Sequence, residues 1–180
     1  MQFTPTRLPE VILVTPRLFG DHRGFFLEMF HSEKFRNGGI GLPFVQDNLS
    51  RSQQGVLRGL HFQRHNPQGK LVTVLAGKIF DVAVDVRRNS PDFGKWVGVE
   101  LDSDTRQALY IPPGFAHGFC VLSESADVFY KCTDLYHPEH ERTLLWNDPA
   151  LGIDWPVTSE PKLSGKDLAG LPLSEVDCFE

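Results

Sequence analysis

Sixteen glycines and 13 prolines cut this 180-residue chain into short runs rich in Val, Ile, Phe and Leu. Such dense turn punctuation leaves little room for helix and favours many short strands. The clearest run is 79–86, where Phe80, Val82, Val84 and Val86 fall on one face and Asp81, Ala83 and Asp85 on the other. That is the period of two expected of a strand. Gly77 separates it from the apolar run 71–75, and the spacing predicts a hairpin between the two. Further strands are predicted at 11–15, 25–30, 44–50, 96–101, 108–111, 115–122 and 128–133. Helix is confined to 32–36, closed by Gly38 and Gly39, with a second short one after Pro172. No linker, repeat or low-complexity tract interrupts the pattern. The expectation is one all-β domain over 1–180, a sandwich or barrel with a few short helices.

Charge and cysteine usage narrow the function classes. A formal charge of −5 gives the chain no bulk attraction for nucleic acid or an anionic membrane, so an anionic ligand needs a local basic pocket. Cys120, Cys132 and Cys178 are odd in number, widely spaced and without a CxxC, which speaks against a disulfide framework. The apolar run 11–14 is too short for a signal-peptide core or a membrane span. A reducing cytoplasm is the expected compartment. Gly39-Ile40-Gly41 runs into Pro43 and fails as a dinucleotide fingerprint, and Gly69-Lys70 lacks the upstream glycine of a phosphate loop.

The most informative segment is Val56-Leu57-Arg58-Gly59-Leu60-His61-Phe62-Gln63, followed by Pro67-Gln68-Gly69-Lys70. It sets a histidine on a strand-like run with a cation on either side. A neutral imidazole can accept a proton, and fixed positive charge can hold the anion left behind. Arg58 and His61 are three apart, so a regular strand would aim them at opposite faces. If both serve one pocket, an irregularity is expected at Gly59. Three histidines could hold a metal, and His61, His65 and His117 are the candidates. The run from Ile111 to His117, IPPGFAH, resembles the second motif of cupin barrels. The first cupin motif wants His-x-His, and here Gln63 stands where the second imidazole belongs, so no metal is expected.

The segments FGDHRGFFLE at 19–28, QDN at 46–48, LRGLH at 57–61, the stretch 77–87, PGFAHGF at 113–119, Tyr130-Lys131 and LSGKD at 163–167 together resemble the dTDP-4-dehydrorhamnose 3,5-epimerases. The resemblance runs from about Phe3 to Asp167 in order and spacing. It implies a cupin-type jelly roll that uses neither metal nor cofactor and inverts C3 and C5 of a dTDP-4-keto-6-deoxy sugar through enolates. It assigns His61 as base, Asp167 as the carboxylate orienting it, and Tyr130 as the acid on the opposite face. Lys70, with Arg58, would stabilise the enolate. Arg23, Glu28, Gln46, Asp47, Asn48, Arg58, Lys70, His117, Glu141 and Lys166 would hold the substrate, with Phe26 and Tyr136 stacked on thymine. A homodimer is implied, in which the strands bearing Arg23 and Glu28 reach the partner's site. Taken singly, these residues have plainer readings: His61 as a packed core histidine, Tyr130 as core filler, Arg23 and Asp21 as a surface ion pair. Their joint occurrence outweighs those readings. The alternatives are a relative that epimerises one carbon or shifts the ketone, and a cupin that binds a sugar or metal without this chemistry.

Overall fold

The computed structural model describes residues 1–157 and 159–180. Two antiparallel sheets face each other. One contains β1 (Gln2–Pro5), β2 (Ile12–Thr15), β5 (Gln46–Gln53), β7 (Lys70–Ala76), β10 (Ala108–Ile111) and β12 (Ser125–Cys132), in the order β1-β2-β10-β7-β12-β5. The other contains β6 (Leu57–Gln63), β8 (Lys78–Asp85), β9 (Trp96–Asp102), β11 (Phe115–Val121) and β13 (Glu141–Thr143), in the order β13-β6-β11-β8-β9. A separate hairpin pairs β3 (Leu18–Asp21) with β4 (Gly24–Leu27). The helices are α1 (Ser32–Asn37) and α2 (Gly165–Leu168). Among the described residues no helix is long and apolar enough to cross a membrane.

Alternation along the strands builds three apolar layers. Between the sheets lie Val72, Val74, Leu109 and Val128 from one side and Ile79, Ala83, Leu101, Phe119 and Val121 from the other. The outer face of the five-stranded sheet, with Val82, Val84 and Leu60, is covered by the C-terminal stretch through Leu151, Val176 and Cys178. Phe35 of α1 and Ile40 cover the outer face of the six-stranded sheet over Ile12, Leu71 and Tyr110. β8 is therefore apolar on one face and packed on both.

The all-β architecture and most strand positions agree with the sequence reading, and four details differ. Gly77 makes no hairpin: β7 pairs with β10 and β12, whereas β8 pairs with β9 and β11. The chain crosses from one sheet to the other there, at φ +81°, where a Cβ would press on Ser123 Oγ and the Ser125 carbonyl. After Pro172 there is only a turn, closed by the Glu175 and Val176 amides on the Pro172 carbonyl. The second helix is α2, whose start is fixed by a capping box between Ser164 and Asp167. The predicted strand 25–30 contracts to Gly24–Leu27, and β1, β3 and β13 are additional.

Candidate active site

A cavity of about 330 Å³ opens between the sheets. His61 of β6 and His117 of β11 stand opposite each other in the ladder on one wall. On the other wall Tyr130 of β12 lies opposite Asn48 of β5 and Val72 of β7. The imidazole of His61 and the phenol of Tyr130 thus enter from opposite sheets.

The expected irregularity in β6 is present. His117 pairs with His61 and Phe119 with Arg58, so two steps on β11 match three on β6, a one-residue bulge. Gly59 takes φ +112° there. The bulge puts Arg58 on the cavity rim with His61, its Nε 3.0 Å from Ser52 Oγ.

Asp167 lies 2.8 Å from His61 Nε2 through Oδ1. The same oxygen accepts the Gly59 amide, while Oδ2 accepts the amide and hydroxyl of Ser164. Burial would raise its pKa, but the contacts with His61, Ser164 and the Gly59 amide outweigh that and hold it well below the usual carboxylate range. Burial pushes the His61 pKa down; Asp167 opposes this, and the charges of Lys166 and Lys70 add to the lowering. The result is a neutral imidazole beside a fixed carboxylate, an arrangement fit to accept a proton. Burial also lowers Lys70 and raises Tyr130, so the phenol holds its proton.

Glu141 accepts Lys166 Nζ on both oxygens at 2.9 Å and the Tyr136 hydroxyl at 2.9 Å. The Tyr136 amide donates to Gln46 Oε1, and Gln46 Nε2 to Asn48 Oδ1. Two predicted stacking or binding positions, Tyr136 and Glu141, are thereby joined to the strand carrying Gln46. His117 Nε2 meets the buried carboxylate of Asp81 at 2.7 Å.

Thus His61, Tyr130, Asp167, Gln46, Asn48, Arg58, Lys70, His117, Glu141 and Lys166 line one cavity. Asp47 does not: strand alternation sends it outward, where it pairs with Lys131 at 2.6 Å. Arg23, on the β3–β4 hairpin, pairs with Asp21 at 2.6 Å, and Glu28 with Lys34 at 2.7 Å, away from the cavity of their own chain. Phe26 is exposed on the same hairpin. Gln68, Ser50, Ser164 and Cys132 also line the cavity. For Ser50 and Cys132 the signal was available, since each lies an even number of residues from a recognised position on its strand. Gln63 is buried and spans Asn66 O, Leu135 O and the His137 amide, so it fixes the loop that carries Tyr136. The three histidines tested as a metal set are apart in role: His61 and His117 face carboxylates, and His65 is on an exposed loop. Among the described residues, the ligand-type group close enough to share a cation is His137, Glu139 and His140.

The family model for dTDP-4-dehydrorhamnose 3,5-epimerase matches residues 5–175. A Pseudomonas aeruginosa dTDP-4-dehydrorhamnose 3,5-epimerase is 53% identical over 180 residues, 99% of either chain. The enzyme of that description from Neisseria gonorrhoeae is 56% identical over 170 residues, 94% of this chain; the chain spans about half of that relative, 52%. A crystal structure of RmlC from Legionella pneumophila in complex with dTDP-4-keto-L-rhamnose superposes with a TM-score of 0.95 at 52% identity, covering 98% of this chain and 94% of that one.

Proposed function

The chain belongs to the dTDP-4-dehydrorhamnose 3,5-epimerase family, and on that premise we propose that it inverts C3 and C5 of dTDP-4-dehydro-6-deoxy-D-glucose, with His61 as base and Tyr130 as acid. The carrying observation is that these two side chains reach one cavity from facing sheets. Inversion needs one group to take a proton from a carbon and another to return one from the opposite side.

Both carbons flank the C4 ketone, so the electrons of the broken C–H bond move into the carbonyl to give an enolate. No step calls for a metal or organic cofactor, because the ketone is itself the electron sink. The His61 nitrogen not engaged by Asp167 accepts the proton, and the carboxylate stabilises the imidazolium. Lys70 and Arg58 hold the enolate oxygen. The phenol of Tyr130 then protonates the other face of the carbon; the phenolate regains a proton from solvent, the His61 imidazolium releases its own, and repetition at the second carbon gives dTDP-4-dehydro-L-rhamnose. Arg58, His117, Lys166 and Glu141, with Gln46 and Asn48, hold the nucleotide sugar, the arginine fork suiting the diphosphate. Tyr136, exposed beside the cavity, stacks on the base. The enzyme works as a cytoplasmic homodimer of single cupin domains, and Arg23 and Glu28 serve the partner's cavity.

The test is incubation with dTDP-4-dehydro-6-deoxy-D-glucose in D₂O, followed by NMR of C3 and C5. Deuterium at both carbons with inversion is expected. Exchange at one carbon alone would make this a mono-epimerase. A His61→Ala variant that admitted deuterium at the parent rate would remove His61 as the base.

A further inference from the structure

The stretch between Tyr136 and Glu141 carries chemistry that the cavity does not use. A short 3₁₀ turn, Pro138–His140, begins at His137 and folds three ligand-type side chains together. The ligand atoms of His137, Glu139 and His140 all lie within 4.8 Å of one another. His137 Nδ1 is 3.5 Å and His140 Nε2 3.9 Å from Glu139 Oε1. The rings of His137 and His140 are 5.4 Å apart between centroids, and His65 sets its ring edge-on to His140 at 5.3 Å. His140 Nδ1 is buried with no hydrogen-bond partner.

Ion pairing of Glu139 with either histidine would explain one of these contacts, but not the gathering of both imidazoles around one carboxylate. Two imidazoles and a carboxylate are a donor set for borderline divalent cations, zinc foremost, whereas calcium and magnesium take oxygen ligands. Zinc bonds of about 2.0–2.2 Å in a tetrahedron place donors roughly 3.3 Å apart. Small side-chain rotations at the surface supply the difference.

We propose that His137, Glu139 and His140 form a zinc site, with water in the fourth position. The flanking residues Tyr136 and Glu141 both line the cavity, so the bound ion braces the turn that presents them. This coupling, unlike the site itself, rests on the reading of the cavity given above.

Zinc chloride titrated calorimetrically into chelator-stripped protein, at a pH where the imidazoles are neutral, tests the site. One ion per chain is expected, with an affinity loss of at least about tenfold in H137A/H140A, a smaller loss in Glu139→Gln, and parent-like binding in Cys132→Ser. Absence of saturable binding, parent-like binding by H137A/H140A, or loss of binding in Cys132→Ser overturns the site. KM for the nucleotide sugar, measured with and without zinc, tests the coupling. It should shift in the parent and not in H137A/H140A; binding without a shift overturns the brace and leaves the site standing. An enzyme inactive on the nucleotide sugar would count against the cavity reading, with calorimetry still deciding the metal site.

Discussion

At the scale of single residues, the base and its surroundings make predictions of opposite sign. His61→Ala should lower kcat by roughly 10²–10⁴, and Lys70→Met by roughly 10²–10³ through the lost enolate partner. Tyr130→Phe separates the two half-reactions: His61 still removes the proton, so deuterium enters from solvent, while inversion falls. Proton NMR that showed exchange and inversion lost together would contradict that division of labour. The pH dependence follows from the neutral state of the base. Burial places the His61 pKa below its ordinary 6.5, so kcat/KM should be flat through neutrality and fall only as pH drops through that lowered value. Asp167 raises this pKa and Lys70 lowers it. In Asp167→Asn the acid limb should therefore move to still lower pH, on a reduced plateau, and in Lys70→Met it should move up. Profiles of kcat/KM against pH for the two variants check both signs.

At the scale of elements, the site depends on how closely β6 and β11 approach at Gly59 and Gly118. A Cβ on Gly59 would stand 2.6 Å from the His117 carbonyl and press on Gly118 Cα, at a φ of +112° that side chains rarely adopt. Gly59→Ala should cost about 2–4 kcal/mol of stability, combining overpacking with left-handed strain. It should also disturb the amide that holds Asp167. Denaturant unfolding, with an unchanged m-value, measures the first effect. This bulge was legible beforehand, because the three-residue spacing of Arg58 and His61 conflicts with strand alternation and only glycine resolves it. The faces of β8 were legible for the same reason, since period two is a local signal. Sheet membership was not: Gly77 reads as a hairpin turn, and whether a strand returns beside its predecessor or crosses to the facing sheet depends on contacts distant in sequence. Asp47 shows the converse, a residue carried into the site by its neighbours Gln46 and Asn48 although alternation sends it outward. The capping box of α2 was readable as Ser164-x-x-Asp167, yet a four-residue helix leaves no apolar periodicity to support it.

At the scale of the molecule, the β3–β4 hairpin stands apart from both sheets and carries the largest mismatch with water. Phe19, Phe25 and Phe26 are 50%, 55% and 70% exposed, with Leu18, Met29 and Phe30 also uncovered. Phe19 and Phe26 lie opposite each other in the hairpin ladder; exposed aromatics paired in this way suit an interface, and for a single type of chain a two-fold pair is the simplest closed assembly. Phe19→Asp combined with Phe26→Asp should convert the proposed dimer to monomer in sedimentation, with KM raised if Arg23 serves the partner's cavity. A sharper prediction follows from the position of Arg23, which lies outside the cavity of its own chain. Arg23→Ala and His61→Ala homodimers should each be impaired, the first in KM and the second in kcat. In a mixed dimer, the chain that keeps His61 receives an intact Arg23 from its partner, and one cavity of the two is whole. Random subunit exchange makes half the dimers mixed, so about a quarter of all cavities should regain parent kinetics. Were Arg23 to act in its own cavity, no mixed dimer would contain a complete site, and mixing the two variants would restore nothing.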